Sequence, residues 1–81
     1  MPTVLWIDVY RFFFYAGDRD EPPHVHVRRA DAEAKFWLDP VLLARNRGFR
    51  LYELEQLQRL VRRHAADLRA SWDDYHGPEA R

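Results

Sequence analysis

Apolar positions recur along this chain with two periods. In the first half they alternate or cluster in short β-branched and aromatic runs. From about residue 51 they return every three or four positions. The runs "TVLWI" and "YRFFFY" are separated only by Asp8-Val9, a spacing that predicts a hairpin. With Asp8-Val9 as the loop, Ile7 faces Tyr10, Trp6 faces Arg11 and Leu5 faces Phe12. One sheet face then carries Leu5, Ile7, Tyr10, Phe12 and Phe14. The other carries Val4, Trp6, Arg11, Phe13 and Tyr15. Both faces are aromatic, whereas a strand with one wet face alternates apolar with polar. This hairpin is therefore expected to be covered on both sides, and a homodimer would supply one such cover.

"AGDRDEPP" collects Gly, Asp and Pro and is expected to be a loop. "HVHVRR" and "EAKFWL" then predict a second hairpin around Ala30-Asp31. In that register Arg28 faces Glu33, His26 faces Lys35 and His24 faces Trp37, while Val27 faces Ala34 and Val25 faces Phe36. One face is apolar and the other holds His, His, Arg, Glu, Lys and Trp. A slip of one residue would mix the two, so the pattern sets the register. The histidines are expected on the wet face. In "DPVLLARNRGF", Asp39-Pro40 suits a short helix that Gly48 would end, but an edge strand or extended segment is favoured.

Leu54, Leu57, Val61, Ala65 (or His64), Leu68, Trp72 and Tyr75 form one stripe at helical spacing. The stripe predicts a helix over about residues 51–75, ended by Gly77-Pro78 and followed by a frayed tail at 77–81. At 1.5 Å per residue it is about 37 Å long and would overhang a small sheet. The expected fold is a single α+β domain over residues 1–81. It has a β-rich part at 3–48, an antiparallel sheet of four to five strands, and one long C-terminal helix packed on it.

Composition narrows the function classes. The chain has 81 residues, close to the lower limit for a domain that folds on its core alone. It has no Cys, which removes disulfides and thiolate zinc sites. Thirteen basic and thirteen acidic side chains cancel, so net charge gives no push toward nucleic acid or membrane. Locally, Arg45 to Arg69 holds seven Arg against Glu53, Glu55 and Asp67. The N-terminus lacks a secretion-signal pattern, and no apolar run nears the ~20 residues of a membrane span. The expected place is the cytoplasm, with no membrane association.

"MPTVLWIDVYRFFFY", "PPHVHVR", "EAKFWL", "LARNRGF" and the late Trp of the helix together resemble a small prokaryotic family, domain of unknown function 4160. The resemblance runs from Met1 to about Gly77. It implies a component of a toxin–antitoxin-like gene pair, whose partner is the product of the adjacent gene. The chain departs from the family's usual pattern at three places. Val9 follows Asp8 where Gly is common, Ala30 and Ala32 flank Asp31 where glycines are frequent, and Arg50 precedes the helix where a Ser or Thr cap is expected.

His24 and His26, on alternate strand positions, project to one side and could converge on an ion. A metal would need further ligands from Asp8, Glu33, Asp39, His64 or His76, none of them placed by sequence, and Lys35 opposite His26 would repel a cation. No metal and no cofactor is expected. Instead His24, His26, Arg28 and Lys35 make a candidate catalytic set for RNA cleavage, with groups to move protons and cations to hold phosphate. Arg11, Tyr15 and Trp37, on the same or a neighbouring face, are candidate RNA-binding groups. Arg59, Arg62 and Arg63, at i, i+3 and i+4, share one side of the helix and could bind nucleic acid or an acidic partner. The leading expectation is a toxin-type protein acting on RNA as a metal-independent endoribonuclease. The alternative is a non-enzymatic, antitoxin-like or regulatory binding module. The plainest competitor is an ordinary half-exposed strand.

Overall fold

The computed structural model describes residues 3–77. Five strands lead: β1 (Thr3–Ile7), β2 (Tyr10–Phe13), β3 (His24–Arg29), β4 (Ala32–Leu38) and β5 (Val41–Arg47). One helix, α1 (Leu51–His76), follows. Strand order in the sheet is the order in the chain, and every pairing is antiparallel. The α+β expectation holds, and Val41–Arg47 is a strand. The expected frayed tail lies outside the described residues beyond Gly77, which caps α1 at φ 87° and donates its N–H to the Asp73 carbonyl at 2.7 Å.

Both predicted hairpin registers are observed, because two-residue loops leave each pairing little freedom. Only the first residue of each loop goes left-handed: Asp8 and Ala30, each at φ 52°. Asp tolerates that conformation; Ala pays for it with strain. Two irregularities were not legible in the pattern. Thr3 pairs with Phe13 and Leu5 with Phe12, so Val4 is an extra residue. It packs on the core cluster instead of sharing the face of Trp6. Ala44 is likewise extra between Leu43 and Arg45, which makes a bulge opposite Lys35 and Phe36.

The core lies between the sheet and α1. Phe12, Phe14, Val25, Val27, Ala34, Phe36 and Leu38 pack against Leu57, Val61, Leu68 and Trp72. Trp72 is fully buried and belongs to this core, while Tyr75 at the helix end is partly exposed and stacks on Phe14. Arg50, at the N-cap of α1, makes no side-chain capping bond. Glu53 does not fold back to cap the helix either. It is buried and takes a two-pronged contact from Arg29 at 2.8–3.0 Å, with the Tyr10 hydroxyl donating to it at 3.3 Å.

The first hairpin is covered unequally. Phe12 and Phe14 lie under the helix. Phe13, on the opposite face, is also fully buried, packed by Tyr15 and His26, with the Arg11 guanidinium over its ring. No second copy is needed to bury it. Trp6, on that same face, is 61% exposed.

Candidate functional site

The sheet face away from α1 is a grid of side chains fixed by register. Arg11, Arg28, Glu33 and Arg47 form one row across the strands. Phe13, His26, Lys35 and Arg45 form the next, and His24, Trp37 and Leu42 a third. The grid gathers Arg11, His24, His26, Arg28, Lys35 and Trp37 as expected. Tyr15 joins them at the end of β2, its ring 4.5 Å from that of His26. Arg59, Arg62 and Arg63 do not join. Arg59 and Arg63 line a separate cleft of about 280 Å³ with Asp8, Tyr10, Gln56 and Leu60.

The expectation that the histidines are wet is wrong. His24 is 0% exposed and His26 9%. The reason is the loop between β2 and β3. It makes a short 3-10 turn at Ala16–Asp18 and lays the Asp18 carboxylate over the start of β3. The Nε2 atoms of His24 and His26 both lie on Asp18 Oδ2, at 2.8 and 2.9 Å. His24 Nδ1 is held 2.9 Å from the Pro22 carbonyl. Its ring is enclosed by Trp37 at 5.5 Å and Trp72 at 4.9 Å between centroids. The Pro-Pro pair thus ends the loop and supplies the carbonyl that orients the first histidine.

The other polar groups are also engaged. His26 Nδ1 sits 3.6 Å from Glu33 Oε2, and Glu33 is paired with Arg28 at 3.0 Å. Tyr15 donates to Glu33 at 3.2 Å. Lys35, expected to repel a cation near His26, turns away: its ammonium pairs with Glu21 and lies 4.5 Å above the Trp37 ring. Burial and the like charge of His24 push the His26 imidazolium below its ordinary range and outweigh the pull of Asp18 and Glu33. Burial alone would raise the Asp18 carboxyl, but the hydrogen bonds from the two histidines hold it below the usual carboxylate range.

Along the β4–β5 edge of the grid lies a cleft of about 140 Å³, lined by His26, Glu33, Ala34, Lys35, Arg45 and Arg47. Arg45 and Arg47 are exposed and make no ion pair among the described residues. Sequence reasoning missed Asp18, Arg45 and Arg47 as site residues. The two arginines follow from pairing β5 to Glu33 and Lys35. For Asp18 the only signal was an acid six positions before the first histidine, in a loop that must return to the same strand.

Fold and site together define a small α+β meander domain with a buried histidine–carboxylate cluster beside a basic cleft. The family described as domain of unknown function (DUF4160) matches residues 10–73, and the chain belongs to that family. No curated protein and no solved structure matches it. No helix among the described residues is long and apolar enough to cross a membrane.

Proposed function

We propose that this protein is a toxin-type component of a two-gene module and acts on RNA at the cleft between β4 and β5. The observation that carries the reading is the cleft's lining. Arg45, Arg47 and Lys35 meet Glu33 and His26 around a space of about 140 Å³, large enough for a phosphate group. The reading departs from the set His24, His26, Arg28 and Lys35. His24 is enclosed, Arg28 is bound to Glu33 and Lys35 to Glu21. The exposed arginines are then the groups that hold a phosphodiester, by paired charge-assisted hydrogen bonds. Glu33 and His26 are the groups at the cleft that can exchange a proton. The test is expression of this chain alone. It should arrest growth with loss of messenger RNA, and Arg45→Gln with Arg47→Gln should relieve the arrest while leaving the fold intact. Normal growth with unaltered messenger RNA would sink the proposal.

The engagement of His24, Arg28 and Lys35 by internal partners favours a second reading, a non-enzymatic module that holds an anionic partner. Arg45 and Arg47, or the exposed Arg59, Arg62 and Arg63 of α1, would do the holding. That reading predicts co-purification with the adjacent gene's product, RNA or protein affinity that falls steeply with salt, and no turnover.

A further inference from the structure

The contacts around Asp18 do not balance on hydrogen bonds between neutral histidines and a carboxylate. A carbonyl oxygen only accepts, so the 2.9 Å contact between His24 Nδ1 and Pro22 O places a proton on Nδ1. A neutral imidazole then presents a lone pair at Nε2. That lone pair points at Asp18 Oδ2 from 2.8 Å, and Oδ2 also meets His26 Nε2 at 2.9 Å. Two lone pairs at that distance repel, so an electrophile belongs between them: either a second proton on a fully buried ring, or a metal ion. A second proton would leave an imidazolium in the interior, walled by Trp37 and Trp72, with one partly shared carboxylate to offset it.

Three further observations favour the ion. The ligand atoms of Asp18, His24 and His26 all lie within 4.8 Å of one another. Bonds of ~2.0–2.1 Å in a tetrahedral site put donor atoms roughly 3.3 Å apart, so the two Asp18 contacts at 2.8 and 2.9 Å would open by about half an ångström while the histidine nitrogens, within 4.8 Å of each other, settle to the same spacing. His24 also has its other nitrogen hydrogen-bonded to an oxygen acceptor, Pro22 O, at 2.9 Å, and His26 Nδ1 faces the Glu33 carboxylate at the longer, ion-pair distance of 3.6 Å. Metal-bound histidines are oriented in this way. Finally, the nearest ammonium, Lys35, is neutralised by Glu21 and faces Trp37.

We propose that Asp18, His24 and His26 form a binding site for one divalent first-row transition-metal ion of the zinc class, with the remaining coordination open to water or an added ligand. Two imidazoles and a single carboxylate suit such an ion. Calcium and magnesium demand oxygen donors in greater number. Coordination through His26 Nε2 leaves its Nδ1–Glu33 contact in place. The ion would tie the β2–β3 loop to β3. The site shares His26 with the cleft of the RNA reading, but Arg45 and Arg47 take no part in it.

The test uses the full chain stripped with a chelator and titrated with Co²⁺, whose visible ligand-field bands report nitrogen and oxygen ligation, and with Zn²⁺ by calorimetry. One equivalent should bind, with bands of a four- or five-coordinate ion. Zn²⁺, but not Mg²⁺ or Ca²⁺, should raise the melting temperature. Replacing a buried histidine risks the fold, so the deciding variant is Asp18→Asn, at a partly exposed position and of equal volume. It should bind Zn²⁺ at least about 10-fold more weakly, the low end of the loss expected even for an outer-shell partner. A folded wild-type chain with no cobalt bands and no zinc-dependent melting shift overturns the proposal, as does Asp18→Asn binding at wild-type affinity. Unchanged zinc affinity in the Arg45→Gln, Arg47→Gln chain supports the site independently of the RNA reading. Loss of zinc binding with those arginines overturns the assignment to Asp18, His24 and His26.

Discussion

Two carboxylates hold segments of this chain to opposite ends of β3. At the far end Glu53 ties the first turn of α1 to Arg29, and at the near end Asp18 ties the β2–β3 loop to His24 and His26. The Glu53 contact is complete in itself. A guanidinium is always charged, offers paired donors that match a carboxylate, and is joined here by a Tyr hydroxyl. The Asp18 contact is not complete, because imidazoles carry fewer protons and one of His24's is spent on Pro22. The first is a fastening between elements. The second has the donor atoms and the unmet lone pair of a site.

The comparison can be broken most severely at the helix. Trp72 packs on both the core and the His24 ring, so Trp72→Ala should cost about 3–5 kcal/mol in urea unfolding. It should also weaken Zn²⁺ binding, while Arg29–Glu53 stays formed. Glu53→Ala should cost less. Arg29 is 36% exposed and can turn to water, which leaves a loss of about 1.5–3 kcal/mol from the charged hydrogen bonds. At 4–8 °C per kcal/mol for a domain of this size, that is a drop of roughly 6–24 °C in melting temperature, with zinc binding unchanged. A zinc affinity that fell with Glu53→Ala would mean the two ends are coupled.

Acid should separate the ends without mutation. His26 has a folded-state pKa below its ordinary 6.5, chiefly through burial, so its unfolded form takes up the proton first. Its contribution to stability is complete above 6.5 and is lost as pH falls through the folded value. His76 is shifted in the same direction by burial and by Arg19, and adds to the slope. Asp18, held below 3.8, contributes above that value and loses its part only in stronger acid. With a chelator present, the melting temperature should therefore fall from pH 7 to pH 5, and Glu53→Ala should keep the same slope. A flat wild-type profile over that interval would count against a neutral, buried His26. The smallest effect lies beside Arg29, in the β3–β4 loop. Ala30→Gly relieves the left-handed backbone at φ 52° and should stabilise the chain by about 1 kcal/mol with no change at either carboxylate.

The sheet was legible because two-residue loops and period-two alternation leave no second register for His24–Trp37, His26–Lys35 or Ile7–Tyr10. The three- and four-residue stripe likewise gave α1 to within a residue. What alternation cannot give is what lies above a face. It put His24 and His26 on the side away from the helix, and wetness was inferred from that. "AGDRDEPP" has no period, so its return over β3 left no trace in the pattern. Glu53 stands at the third position of the helix, where a capping-box acid would stand, yet it pairs with Arg29, which offers a carboxylate more than the Arg50 backbone does.

The outer edge of β5 has a further consequence. Among the described residues it is an exposed strand with one unpaired side, and Leu42 and Leu43 are open to solvent. Such an edge invites another copy to add on, strand against strand, and grow into insoluble assemblies. Arg45, Arg47 and the Ala44 bulge are what stand against that here, through charge repulsion and a local twist. The two arginines that face the cleft are thus also the guards of this edge. A chain that loses both should be checked for self-association before any loss of action on RNA is credited to the cleft.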